Sequence, residues 1–452
     1  MNPKASGSFG DRPRAVVVGA GLAGSMMAIY LGRAGYGVDV YERRADLRAE
    51  DQDGGRSINL GLSARGLKAL ERAGLKDHML ERAVVMAGRV VHRIDGGDVF
   101  QPYGKDQREV LHSIDRQELN RILMTRAETA GEVRIHFRHR LKDLDKSART
   151  LTFEDLDTGA EETVEAPLVI GADGAFSTVR QKLHVGERAD FQQEFLPWGY
   201  KELTLPADPG GRSRVKLDAL HVWPRGQALI VTHPNRDGSH TVTLFLPFEG
   251  GRNSFEALRR PADVERLFAE QFPDLPPLMP DLVEQFFDNP VGRLVTTRTQ
   301  PWFSSDWAVL LGDACHAVYP FYGQGMNSAL EDCVVLADLL QGRRHGFEEA
   351  FRRFQARRKI HTDTLAELSK QNFLELSSHL RSPAFVLRKK LDVWLNRLFP
   401  ELWKPLYSQV AHTTVPYADA VARSQRQERY LGLAAGALGL LGAVWLSRGR
   451  RR

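Results

Sequence analysis

The run RAVVVGAGLAGSMMAIYLGRAGYGVDVYER, residues 14–43, constrains this chain more than any other stretch. Val16, Val17 and Val18 lead straight into Gly19, Gly21 and Gly24; an apolar helical segment follows, and a second strand-like run ends at Glu42. Strand, tight turn, helix and strand make one βαβ unit. The first glycine allows the turn, the second lets a pyrophosphate approach the backbone, and the third lets helix and strand pack closely. The helix start then offers free N–H groups and a partial positive charge to phosphates. Glu42, 18 positions after Gly24, can accept from ribose hydroxyls. The spacing predicts a bound adenine dinucleotide and does not separate FAD from NAD.

With 452 residues the chain exceeds one small core and can enclose a sizeable ligand. Its 42% hydrophobic and 26% charged content is ordinary for a globular protein. The net charge of +5 is scattered; the densest basic run, Arg352, Arg353, Arg357, Arg358 and Lys359, has helical spacing and reads as a solvated helix face, so no nucleic acid is expected. Cys315 and Cys333 are the two cysteines, which gives neither a disulfide framework nor a zinc pattern. Both read as small hydrophobes in a reducing, cytoplasmic setting. HExxH, CxxC and GxSxG are absent, which argues against metal-dependent and serine-hydrolase chemistry.

Two apolar runs invite a targeting reading. Residues 15–32 carry no charge behind RPR, but their glycine spacing excludes a signal peptide. YLGLAAGALGLLGAVWLS, residues 430–447, lies between Arg429 and RGRRR and would extend about 27 Å as a helix. It reads either as a membrane anchor, with the terminal arginines at an anionic, cytoplasmic surface, or as a Gly/Ala-rich helix buried against the body.

Two more segments place chemistry at strand ends. PLVIGADGAFSTVR reaches Asp173-Gly174 and then Ser177 and Arg180, while VLLGDACHAVYP reaches Gly312-Asp313. Asp313 reads either as a helix cap or as a ligand contact at the crevice where such sheets bind nucleotides. Residues 190–250 hold short β-like runs broken by Pro and Gly, an antiparallel sheet, and residues 329–427 read as helices.

These three fingerprints, with GRSINLGLSARG (55–66), LHSIDRQELN (111–120) and TLFLPFE (243–249), resemble the aromatic hydroxylase family of FAD-dependent monooxygenases over residues 14–427, within it the branch that acts on L-kynurenine. The resemblance implies an α/β fold: a Rossmann-like FAD-binding domain of the GR2, p-hydroxybenzoate hydroxylase-like type, an inserted antiparallel β-sheet substrate domain and a C-terminal helical region. The implied boundaries are a flexible N-terminus at 1–13, an FAD-binding domain at 14–84, 110–185 and 290–345, a substrate domain at 85–109 and 186–289, a helical cap at 346–429 and the apolar tail at 430–452.

The resemblance also implies the chemistry. NADPH reduces FAD, reduced FAD takes O₂ to a C4a-hydroperoxide, and the terminal oxygen converts L-kynurenine to 3-hydroxy-L-kynurenine, in tryptophan breakdown or NAD synthesis. No side-chain nucleophile and no metal are required. FAD contacts are implied at Gly19, Gly21, Leu22, Gly24, Tyr41, Glu42, Arg43, Arg44, Gly61, Arg116, Leu141, Asp173, Thr178, Asp313, Gly325, Met326 and Asn327. Substrate contacts are implied at Arg89, for the α-carboxylate, Tyr103 and Tyr407, as hydroxyl donors, and Asn372 and Glu375, near the ammonium, with Phe245 and Phe321 walling the ring. The chain departs from the family pattern at Tyr322 and Leu376. His316 has no partner cluster nearby in the sequence and reads as structural. A flavin hydroxylase of another aromatic acid, or a non-enzymatic membrane-tethered flavoprotein, would share the three glycine and aspartate fingerprints.

Overall fold

The computed structural model describes residues 13–49, 59–104, 109–341, 346–377, 391–392, 394–396, 398–399 and 402–449, with 434–449 described by backbone alone. Strand Arg14–Val18 is buried on both faces, as its unbroken apolar run requires, and occupies the interior of a six-stranded sheet. Across that sheet the order is Phe303–Ser304, Ala308–Leu310, Val169–Gly171, Arg14–Val18, Gly37–Glu42 and Val133–Phe137. All neighbours run parallel except the Phe303–Ser304 edge. Three adjacent parallel strands therefore end side by side at Gly19, at Asp173 and at Gly312-Asp313, where open α/β sheets bind ligands. Helices Leu22–Arg33 and Gly325–Gln341 cover this edge with a shared core that includes Met26, Ile29, Leu330 and Leu336. Cys315 and Cys333 are free and buried there.

A seven-stranded sheet forms the second layer, in the order Gly292–Gln300, Asp190–Leu205, His240–Pro247, Leu229–Pro234, Ala219–Pro224, Gly88–His92 and Asp98–Pro102. It is antiparallel apart from the pairing of Ala219–Pro224 with Gly88–His92. The runs expected to be short between 190 and 205 are one strand of 16 residues. Its pairing with Gly292–Gln300 shifts between Phe195 and Gly199, where Pro197 has no N–H to give, and the strand continues beyond the irregularity.

Side chains alternate between the faces of this sheet. Leu203, Leu205, Trp223, Ile230, Val242 and Leu244 pack on helices Pro261–Gln271 and Leu282–Asp288. Val222, Leu229, Phe245 and Leu294 take the other face and meet Tyr319, Phe321, Phe373 and Leu376. Each buried side chain of this size contributes about 1.5–3 kcal/mol, so both faces hold the register firmly. A small antiparallel sheet of Leu60–Leu62, Leu111–Ile114 and Val84–Met86 stands beside the second layer.

The last helix runs without a break from Tyr417 to Gly449. Among the described residues no helix is long and apolar enough to cross a membrane. The anchor expected at 430–452 falls mostly on positions 434–452, whose side chains lie outside the described residues, as do residues 1–12 and Arg56, Ser57 and Ile58 of the RSINL block.

Candidate active site

Gly19 has φ +101°, and a Cβ there would stand 2.6 Å from the carbonyl oxygen of Ala172. A Cβ on Gly24 would lie 1.9 Å from the carbonyl oxygen of Gly19, so this turn admits no side chain at either place. Gly21 differs: it caps helix Leu22–Arg33 and a Cβ there would meet nothing within 4 Å. The N–H groups of Leu22 and Ala23, which have no intrahelical acceptor, flank that open side. Behind the turn, the buried Glu42 accepts from Ala20 N–H at 2.9 Å and from Arg44 N–H and Nε at 3.0 and 2.8 Å. Burial opposes its ionisation, but the Arg44 guanidinium and these N–H groups hold its carboxyl below the usual range. Arg43 beside it is exposed. The Tyr41 ring turns into the core, stacked between His136 at 4.6 Å and Phe153 at 3.8 Å, and its carbonyl takes the Gly19 N–H at 2.7 Å. Leu141 is buried in the same core.

Asp173 accepts from Ser177 Oγ and from the N–H groups of Thr178 and Val179 at 2.7 and 3.0 Å, which starts helix Thr178–Leu183; burial pushes its carboxyl up. Arg180 donates to Ala314 O at 2.6 Å and Ala175 O at 2.9 Å and so ties this segment to the next. Asp313 is the first residue of the short helix Asp313–His316, whose cap is Gly312 rather than Asp313 itself. Its carboxylate is exposed and makes no hydrogen bond among the described residues.

Gly323, at φ +67°, turns the chain into helix Gly325–Gln341. Asn327 is fully buried: its Oδ1 accepts from Ser63 N–H at 2.9 Å, and its Nδ2 donates to Gly61 O and Gly323 O at 2.9 and 3.0 Å. Only its main chain, like that of half-buried Met326, is left for a ligand. Arg116 is exposed at the start of helix Arg116–Glu128, which Asp115 caps.

The residues expected at the substrate come together as two groups. Arg89 donates through Nε to Gln101 Oε1 at 2.8 Å, and the Tyr103 and Tyr407 rings stack at 5.5 Å. Burial pushes both phenols up, that of Tyr407 to about 12, while the Arg89 charge pulls both back. In the second group Phe321 lies 5.0 Å from Phe245 and 4.7 Å from Phe373, and Asn372 Nδ2 donates to Phe321 O at 2.6 Å. Glu375 follows Asn372 by one turn and is half-buried. Leu220 packs in both groups, and the buried ring of Tyr322 lies 5.8 Å from Tyr407. Leu220 and Gln101 are not evident from motifs, although counting back across the Asp95-Gly96-Gly97 turn pairs Gln101 with Arg89. A cavity of about 470 Å³ lies beside this region, lined by Asn59, Ser113, Thr204 and Thr241 among others. It shares no residue with either expected set.

Under the loop 312–325 lies a charge network that no motif in the sequence announces. His316 Nε2 contacts Asp332 Oδ2, and Arg358 donates to Asp332, Glu331 and Ser328. Arg358, expected on a solvated helix face, is 3% exposed. It continues an inward stripe with Phe347, Phe351 and Phe354, one residue per helical turn.

The cradle, the three strand-end loops and the second sheet define a flavoprotein: residues 13–361 match the family model described as FAD binding domain. Two solved structures share the fold: 2-methyl-3-hydroxypyridine-5-carboxylic acid oxygenase, with TM-score 0.68, 24% identity and coverage of 83% of this chain and 95% of that one, and PqsL of P. aeruginosa, with TM-score 0.66, 23% identity and coverage of 82% and 98%. The chain is 51% identical over 446 residues to the kynurenine 3-monooxygenase of Salinispora tropica, covering 98% of both, and 46% identical to that of Myxococcus xanthus, covering 89% of this chain and 86% of the relative. It belongs to the kynurenine 3-monooxygenase family.

Proposed function

We propose that this protein is an FAD-dependent monooxygenase that uses NADPH and O₂ to convert L-kynurenine to 3-hydroxy-L-kynurenine. The observation that carries the reading is the convergence of Arg89, Tyr103 and Tyr407 with the Phe245–Phe321 wall on one sheet face, joined through Leu220. The open side of Gly21 and the N–H groups of Leu22 and Ala23 fit a diphosphate, and the exposed Asp313, without a hydrogen bond among the described residues, fits hydroxyl donors on a ribityl chain. When bound, FAD supplies the reactive oxygen.

The chain's own residues bind and orient. Arg89 takes the substrate α-carboxylate, steadied by Gln101. Tyr103 and Tyr407 keep their protons, because burial raises both phenols, and stay hydrogen-bond donors through the working pH range. Asn372 is held by Phe321 O through Nδ2, which leaves Oδ1 for the ammonium, with Glu375 on the same helix face. Phe245 and Phe321 hold the ring and exclude water. The main-chain N–H groups of Met326 and Asn327, at the start of helix Gly325–Gln341, offer positive potential to the flavin edge that gains negative charge on reduction. The nicotinamide dinucleotide visits without a glycine-rich domain of its own.

Domain boundaries follow the same reading: FAD binding by 14–84, 110–185 and 290–345, substrate binding by 85–109 and 186–289, and a cap of 346–429. The uncharged run at 430–447 holds the enzyme to a membrane, with Arg448 and Arg450–452 at the headgroups. Steady-state assay of the purified protein tests the function: kynurenine-dependent NADPH oxidation with 3-hydroxykynurenine as product supports it, and bound flavin without kynurenine-stimulated turnover sinks it.

A further inference from the structure

Strand Leu229–Pro234 carries an imidazole that none of the roles above uses. Leu229 and Val231 pack on the face of the sheet shared by Phe245 and Leu220, so the two-residue period turns His233 to that same face. Cross-strand register then places it. Arg89 pairs with Leu220, and His221 pairs with Thr232; one step further along that antiparallel ladder Leu220 stands opposite His233. His233 pairs in turn with Thr241, and Thr241 with Thr204. Arg89, Leu220, His233, Thr241 and Thr204 thus form one row across the sheet. Arg89 and His233 are two strands apart, roughly 10 Å between Cα atoms, with Leu220 between them. The last two members of the row line the 470 Å³ cavity.

His233 is surrounded by protein yet keeps part of its surface accessible, which describes the wall of an internal space. Its Nδ1 is buried without a partner, and the ring makes no hydrogen bond among the described residues. The neighbouring imidazoles differ: His221 engages His92 and Lys216 O, and His240 engages Ser213 and Thr232. Burial pushes His233 down to about 4, so it is neutral near pH 7 and offers a lone pair as well as an N–H. A buried polar group left unpaired costs stability, and one that faces accessible space can be satisfied by a group bound there.

The substrate supplies a matching orphan. In an ortho-aminophenyl ketone one amine N–H bonds internally to the ketone oxygen and the other is left over. On this face the apolar neighbours of His233 are Leu220, Val222, Leu229, Val231 and Phe245, and its polar ones are Thr241, already engaged by Asn59 and Asn235, and Thr243, opposite Val231. We infer that His233 is a specificity-determining residue whose imidazole accepts the free N–H of the substrate's ring amine while Arg89 holds the carboxylate. The inference rests on the reading that kynurenine is the substrate.

The test measures dissociation constants by titrating the flavin spectrum of the FAD-loaded enzyme with L-kynurenine and with its analogue lacking the ring amine, 2-amino-4-oxo-4-phenylbutanoic acid. Wild type should prefer kynurenine by about tenfold, the range of one well-made hydrogen bond. His233→Leu should abolish that preference by weakening kynurenine alone, and His233→Gln should restore part of it. His233→Leu should also melt at a higher temperature, since it removes an unpaired buried polar group, whereas a merely structural histidine would lose stability on replacement. Equal weakening of both ligands by His233→Leu, or an unchanged preference, overturns the inference. Binding of neither ligand by wild type overturns the kynurenine reading itself.

Discussion

His316 and Asp332 form an interior ion pair, the carboxylate wholly removed from solvent and the imidazole 4% exposed, which fastens the helix after Gly312 to helix Gly325–Gln341. Arg358 closes the pair from helix Phe347–Ser377, so one carboxylate holds three segments together.

The pair makes stability depend on pH with a definite sign. Burial disfavours the imidazolium, but the Asp332 carboxylate raises His316 well above 6.5; burial disfavours the carboxylate, but His316 and Arg358 hold Asp332 below 3.8. The His316 contribution is complete below about pH 6.5 and is lost as pH rises through its folded value; the Asp332 contribution is complete above about pH 4 and is lost as pH falls through its own. Asp332→Asn should cost about 3–5 kcal/mol, because it leaves buried charges uncompensated. Denaturant unfolding across the pH range should show that the alkaline decline in stability is shallower in the variant than in wild type.

Arg89→Ala should raise the kynurenine KM about a hundredfold while FAD remains bound, since truncating one partner of a charge pair that the bound carboxylate would bury costs about 2–5 kcal/mol. Gln101→Leu, which removes only the 2.8 Å bond that aims Arg89, should raise KM about threefold to tenfold with little change in kcat. An unchanged KM for Arg89→Ala would remove the carboxylate role.

Gly24→Ala should yield protein with little FAD. The added methyl group meets main chain, not a movable side chain, at 1.9 Å, so helix and strand must separate where the diphosphate is expected. The ratio of flavin absorbance to protein absorbance after purification reads this directly. Gly21→Ala, which enters open space, should fold normally and lose affinity only through crowding of the ligand.

Truncation after Arg429 should move the protein from the membrane fraction to the supernatant while the kynurenine-dependent activity persists. Co-sedimentation of both forms with membranes, or of neither, would refute the role proposed for 430–447.

The βαβ turn and the adjacent strand ends were legible because backbone geometry dictates them: the glycine spacing and the strand-end aspartates restrict conformation locally, and local restrictions are written in consecutive residues. Pairings between distant segments were not. Nothing near His316 in the chain announces Asp332, and the basic run 352–359, exposed as expected at Arg352, Arg353 and Arg357, conceals Arg358 on an inward stripe with Phe347, Phe351 and Phe354. That stripe was countable at helical spacing and was masked by the density of arginines around it. Likewise, His233 gains meaning only from a register that links three strands, Gly88–His92, Ala219–Pro224 and Leu229–Pro234, the first of them about 130 residues from the others.

Asn327 spends both ends of its amide on main-chain groups of two separate segments. An apolar substitution there undoes three contacts at once, and Asp keeps only the one from Ser63 N–H. Tyr322, Leu376 and His233, near the residues proposed to hold the substrate, make no side-chain hydrogen bond among the described residues. New substrates for this scaffold will be won by altering walls, and a library that spares Asn327 while varying those three positions samples the part of the site that is free to diverge.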